Sequence, residues 1–209
     1  MAHSTLIVVA LVLSESVCPF AGGSPTSSQT VPTAGIELAE VGVPSGWMGA
    51  DPRRIKDAIR LEGAEAAECG GTSKCLRITY RPQWGWAGLY WWPTACDLES
   101  DAWAAVESGE CGIDLRNGPD SRPIQRLTFA ARGAKGDETL DFGVGGHALY
   151  PKTVQRRVVL DRTWQTFEID LRKADLKKVT GLFFWTASNL ENPTGFVVYL
   201  KDVRFTGAG

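Results

Sequence analysis

The sequence predicts an all-β domain, an antiparallel sandwich or barrel, from three observations. Short runs of β-branched and aromatic residues recur along most of the chain, as in "CLRITYRP", "GWAGLYWW", "QRLTFAARG", "TLDFGVGG" and "GFVVYLKDVRF". The gaps between them are rich in Gly, Pro, Asn and Asp, as in "RNGPDSRP", "RGAKGDE" and "NLENPTG". Helical patterning is confined to two short stretches. Many short strands with turn chemistry and little helix favour two packed antiparallel layers.

The chain begins with "MAHSTLIVVALVLSESVC", whose apolar run Leu6 to Leu13 is bounded by Ser and Glu. Such a run is too short to cross a bilayer as a helix, which takes roughly 20 residues. It suits the apolar centre of an export signal, with Ser14 and Ser16 at the cleavage positions. The competing reading is a buried N-terminal strand. Residues 1–18 are expected to be the signal, with Cys18 open to lipidation although Glu15 stands where a lipoprotein signal has Leu. A polar linker over 19–34, containing "SPTSSQTVPT", leads into a sandwich domain over 35–207.

"GIELAEVGV" opens that domain as a strand. "DPRRIKDAIRLEGAEAAE" follows, with Asp51 placed to cap a helix and Pro52 at its first position, so a helical turn is expected within 51–61. A loop followed by an edge strand fits the same stretch. "CLRITYRP" puts Leu76, Ile78 and Tyr80 on one face. "LESDAWAAVESGE" is expected to add a helical turn within 97–109.

Of the 209 residues, 44% are hydrophobic and 22% charged, with a formal charge of -2 and no basic stripe, so nucleic acid is not an expected partner. Beyond Cys18 there are four cysteines, which allow three pairings. Two local disulfides are favoured, Cys69 with Cys75 and Cys96 with Cys111. Zinc is the alternative, but no Cys-x-x-Cys occurs and His147 is the only histidine beyond the signal. No metal site is therefore expected.

"PQWGWAGLYWWP" is the densest functional signal. Alternation puts Trp84, Trp86, Gly88, Tyr90 and Trp92 on one face, and Gly85, Ala87, Leu89 and Trp91 on the other. In "GLFFWTAS" Phe183, Trp185 and Ala187 oppose Leu182, Phe184 and Thr186. A sandwich buries one face of each sheet, so some rings must lie on an outer face. Open ring faces suit the apolar faces of sugars. The bland alternative is that loops fold over them.

"WQTFEIDLRKADLKKVTGLFFWTA" and "NPTGFVVYLKDVRF" resemble the closing strands of jelly-roll carbohydrate-binding modules, galactose-binding-like β-sandwiches of exported bacterial proteins. Trp164, Phe167, Ile169, Leu171, Leu176, Val179, Phe183 and Trp185 fit the first pattern, and Phe196, Tyr199, Leu200, Asp202, Val203 and Phe205 the second. The resemblance covers residues 120 to 206 well and 41 to 93 loosely. It implies a jelly roll and a polysaccharide ligand. It also implies a structural calcium near the closing strand, where this chain has Lys201 before Asp202. Parity puts Lys201 on the inward face with Tyr199, Val203 and Phe205. An ammonium supplies no lone pair, so it is expected either to replace the ion against Glu37 or Asp51, or to mark the site's absence.

A catalytic reading needs two convergent carboxylates, for which Asp141 and Glu168 are candidates, or a nucleophile beside His147 with no Gly-x-Ser-x-Gly elbow in the chain. Solvated strand positions explain both acids equally well. The expected function is non-catalytic polysaccharide binding by Trp84, Trp86, Tyr90, Trp92 and Trp185, with Asp141 and Glu168 as hydroxyl partners. The module is expected to be an extracytoplasmic monomer, touching membrane only through a lipid at Cys18. The alternatives are an adhesive surface protein that binds another protein, and a small glycoside hydrolase or lyase.

Overall fold

The computed structural model describes residues 35–51, 53–71, 74–94, 111–145 and 153–207. The signal and linker expectations, the 97–109 turn, Cys96 and His147 fall outside those residues. The described strands are β1 (Ile36–Glu37), β2 (Gly42–Gly49), β3 (Ile59–Gly63), β4 (Leu76–Tyr80), β5 (Ala87–Pro93) and β6 (Ile124–Gly133). They continue with β7 (Glu138–Gly145), β8 (Val154–Leu160), β9 (Gln165–Asp170), β10 (Gly181–Ala187) and β11 (Phe196–Gly207). All pairings are antiparallel. The first sheet runs β3-β4-β11-β6-β9, with β1 also on β11, and the second runs β2-β5-β10-β7-β8. This is the antiparallel sandwich the sequence predicts.

Rings weld the two layers together. Phe129 of the first sheet lies 4.6 Å from Phe142 and 5.6 Å from Phe183 of the second, centroid to centroid. Trp185 meets Phe196 edge-on at 6.2 Å. All five are buried, as alternation over a shared core requires.

"GIELAEVGV" is not one strand. A single helical turn, α1 (Leu38–Val41), interrupts it, so β1 pairs in the first sheet and β2 in the second. Leu38 fills the core at the crossing. The helical expectation at 51–61 reduces to one turn, α2 (Ile55–Ala58), which runs directly into edge strand β3. Its cap is Arg54 rather than Asp51, whose Oδ1 instead accepts the Arg53 N–H at 3.0 Å in a local turn.

A β-bulge in β11 overturns the parity assigned to Lys201. The register shifts between Lys201 and Arg204, and Asp202 takes a left-handed φ of 53°. Val198, Leu200, Val203 and Phe205 therefore all join the core, while Lys201 stays outside with Val197 and Tyr199. There its Nζ donates to the Cys69 carbonyl at 2.8 Å and sits 4.4 Å above the Trp164 ring.

That contact belongs to a clamp on the outer face of the first sheet. Cys69 and Cys75 form a disulfide in the β3–β4 loop, as the sequence predicts, and both are buried. Arg132 lies over Tyr199 at 4.0 Å and near Trp164 at 5.6 Å, and its Nη2 donates to the Glu68 carbonyl at 2.8 Å. The Tyr199 hydroxyl donates to Glu68 Oε1 at 2.6 Å. That bond holds the Glu68 carboxyl below its ordinary range, while burial, then the same bond, pushes the Tyr199 phenol up.

Replacing Cys69 and Cys75 together by Ser should lower unfolding stability in urea by about 2 kcal/mol, the closure entropy of so short a loop. A loss near zero would mean that the polar clamp alone fixes the loop.

Burial alone pushes the Tyr80 phenol up to about 12, and its hydroxyl donates to the Gly85 carbonyl. A raised folded-state value means stability that is complete below the unfolded value of about 10 and lost as pH rises through about 12. Alkaline melting should therefore steepen over that window, and a Tyr80→Phe variant should show less of the steepening.

Candidate functional site

The site is built on the outer face of the second sheet. Along β5, Ala87, Leu89 and Trp91 join the core, which turns Gly88, Tyr90 and Trp92 outward. Register then fixes their neighbours. Tyr90 faces Phe184 of β10 and Gly46 of β2. Gly88 faces Thr186 and Met48, and Trp92 faces Val43. Farther along the sheet, Phe184 faces Gly143 of β7, Thr186 faces Asp141, and Asp141 faces Arg157 of β8.

Each outward ring lies across a glycine on an adjacent strand. A Cβ at Gly46 would stand 2.7 Å from the Trp92 indole, and one at Gly181 would stand 2.8 Å from the Tyr90 ring. One at Gly143 would strike the Phe184 ring. Side chains at these three positions would force the rings to stand up from the sheet. With glycine there the rings approach the neighbouring backbone closely, and Tyr90 meets Phe184 at 5.0 Å with the planes tilted by 54°.

Exposure differs along the row. Trp92 and Phe184 are buried, at 4% and 3%. Tyr90 is half-buried, which pushes its phenol up, and its hydroxyl makes no hydrogen bond among the described residues. Trp86, in the bend immediately before β5, is 45% exposed. Between Trp86 and Tyr90 the sheet surface is floored by Gly88, against which the Met48 and Thr186 side chains pack.

The polar flank is an ion-pair cluster. Arg157 donates from Nε to Asp141 Oδ1 at 3.1 Å and from Nη2 to Asp141 Oδ2 at 2.8 Å. Its Nη1 lies 2.6 Å from Glu191 Oε1. The bidentate bond to Asp141 raises the guanidinium's affinity for its proton further. Glu191 is brought there by the turn after β10, which Asn192 pins by accepting the Thr139 N–H at 3.0 Å and donating to the Thr139 carbonyl at 2.8 Å.

Several predicted site residues lie elsewhere. Trp185 points inward and is wholly buried, so it presents no surface to a ligand; the outward ring of β10 is Phe184. Trp84 is not in the row, because Pro82–Trp84 forms a 3-10 turn and Gly85, at φ 80°, breaks the alternation. Trp84 packs against the core beneath Arg54, 5.0 Å away. Trp92 is on the predicted side, but its ring is not open. Glu168 projects from β9 in the other sheet, where its Oε2 lies 3.5 Å from Arg126. Asp141 and Glu168 thus occupy different layers and do not form a hydrolytic pair.

Phe184, Arg157 and Glu191 were missed. The alternation in "GLFFWTAS" already separated Phe184 from Trp185, but gave no sign of which set faces inward. Arg157 sits in "QRRVVL", where a charged edge strand has an ordinary solvation role.

The Lys201 ammonium engages neither of the carboxylates expected for it. Glu37 pairs with Arg204 at 3.1 Å and Asp51 with Arg53 at 3.3 Å. A calcium cradle needs six to eight oxygens, and the residues at this point of β11, an engaged lysine and the exposed Asp202, do not fit one.

No family model matches the sequence, and no curated protein matches it. Solved structures share the fold. A family 11 carbohydrate-binding module from Clostridium thermocellum, in complex with a β-1,3-1,4-mixed-linked tetrasaccharide, superposes with a TM-score of 0.52 at 12% identity, covering 84% of this chain and 95% of that one. A family 30 carbohydrate-binding module gives 0.54 at 18% identity, covering 80% and 94%. An exo-β-agarase gives 0.53 at 10% identity, covering 85% of this chain but 26% of the enzyme. At such identities the likeness is one of fold: the chain is a β-sandwich of the jelly-roll kind seen in carbohydrate-binding modules.

Trp185→Ala should cost about 3–5 kcal/mol of stability, as for any large core truncation, measured by urea unfolding. Chelation with EDTA should leave the melting temperature unchanged, and a clear drop would indicate a metal that the Lys201 geometry argues against.

Proposed function

We propose that this chain is an exported, non-catalytic polysaccharide-binding module whose ligand lies along the outer face of the second sheet, over Trp86 and Tyr90. The observation that carries this reading is the exposed Trp86 indole together with the half-buried Tyr90 ring on the outward row of β5. Open ring faces offer broad apolar area at little entropic cost, which matches the apolar face of a pyranose. Trp86, in the bend, and Tyr90, in β5, are four residues apart, a reach of at most about 14 Å that admits a chain of sugars rather than a single ring. The Tyr90 hydroxyl and the Asp141–Arg157 pair supply polar groups beside that surface. The fold shared with carbohydrate-binding modules, one of them solved with a mixed-linked tetrasaccharide, supports the same class of ligand.

Export is supported by the apolar N-terminal segment and by the Cys69–Cys75 disulfide, since such bonds persist in oxidising compartments. Among the described residues no helix is long and apolar enough to cross a membrane.

Affinity electrophoresis through gels holding soluble polysaccharides tests the reading. Trp86→Ala should weaken retention about tenfold, roughly what one ring contact contributes, with an unchanged melting temperature. Equal retention by the variant would remove Trp86 from the site. Absence of retention by the native chain on every glycan, with the fold intact, would favour a protein partner instead.

A further inference from the structure

We infer that the polysaccharide is an uncharged one, and that the Asp141–Arg157–Glu191 cluster turns anionic glycans away; this rests on the polysaccharide reading and names its substrate class. Among the described residues on the outward rows of the second sheet, Arg157 is the only cation. Its charge is already matched by carboxylates. Two of its five N–H groups donate to Asp141, at 3.1 and 2.8 Å, and its Nη1 forms an ion pair with Glu191 Oε1 at 2.6 Å. One positive charge stands against two negative ones, so the cluster is net negative.

Its place in the sheet makes that charge felt by a ligand on the rings. Asp141 faces Thr186 across the β7–β10 ladder, and Thr186 in turn faces Gly88 of β5, between Trp86 and Tyr90. Recognition of a uronate or sulfate calls for a cation whose charge no neighbouring carboxylate already matches, usually a bidentate guanidinium. A hydroxyl needs both a donor and an acceptor. The cluster offers both, in the remaining Arg157 N–H groups and the spare carboxylate lone pairs. The guanidinium is also held by two partners, so it cannot swing to meet an anion without leaving them unpaired. The Arg157 side chain is 59% exposed, so salt weakens the discrimination.

The test runs the full chain on gels of mixed-linkage β-glucan and of polygalacturonate, in buffer of about 0.01 M and about 0.15 M ionic strength. The native protein should be retarded by the neutral glucan, with an apparent Kd for polygalacturonate at least about fivefold weaker at low salt. Asp141→Asn/Glu191→Gln changes the cluster from net -1 to net +1 and should gain retardation on polygalacturonate, lost again at the higher salt. Native protein held by polygalacturonate as strongly as by glucan overturns the charge inference while leaving polysaccharide binding intact. A folded double variant that gains nothing also overturns it. Retention on neither gel overturns the polysaccharide reading itself, together with this inference. The native arm decides the matter even if the double variant fails to fold.

Discussion

Strand alternation permits only one face of a sheet to enter a two-layer core, and β5 and β10 carry large rings on both faces. Everything distinctive about the second sheet follows from that constraint. The inward rings, Trp91, Phe183 and Trp185, pack against the first sheet. The outward rings, Tyr90, Trp92 and Phe184, have no opposing layer of the sandwich to pack against. They approach the neighbouring strands closely, which is feasible only where those strands lack a side chain. Glycine at 46, 143 and 181 meets that requirement on β2, β7 and β10. Glycine inside a strand weakens it, so three of them beneath three rings are a costly arrangement for packing alone.

The two sheets have accordingly separated their duties. The outer face of the first carries the disulfide loop, fastened by the Arg132 and Lys201 cations over Tyr199 and Trp164. That face is polar, bridged and occupied by its own chain. The second keeps an exposed indole and a half-buried tyrosine next to a charge cluster whose members satisfy one another. The fold is shared with modules that bind sugars, but the arrangement of rings, rather than the fold, is what points to a ligand.

Much of this was legible in the sequence, and the failures have a common cause. Alternation assigned Ala87 to Trp92 to the correct faces because β5 is regular through that stretch. It failed wherever the backbone leaves regular geometry. Gly85 and the 3-10 turn removed Trp84 from the row, and the bulge at Asp202 reversed the face of Lys201. A single turn at Leu38–Val41 divided one expected strand between two sheets. A second limit is that parity groups residues without saying which group faces inward. Parity alone therefore cannot tell that Phe184, not Trp185, is the outward ring of β10. The Arg157–Glu191 contact was illegible for a different reason, since it joins an edge strand to a distant turn through side chains alone.

The central claim is that a glycan lies over Trp86 and Tyr90 on the second sheet, not over the rings of the first. Titration of the labelled protein with a mixed-linkage gluco-oligosaccharide, followed by NMR, tests it most directly. The account predicts shifts of the Trp86 indole N–H and of the Tyr90 ring protons, with the Trp185 and Trp164 indole signals unmoved. Perturbation centred on Trp164 and the disulfide loop, or none at either sheet, would contradict it.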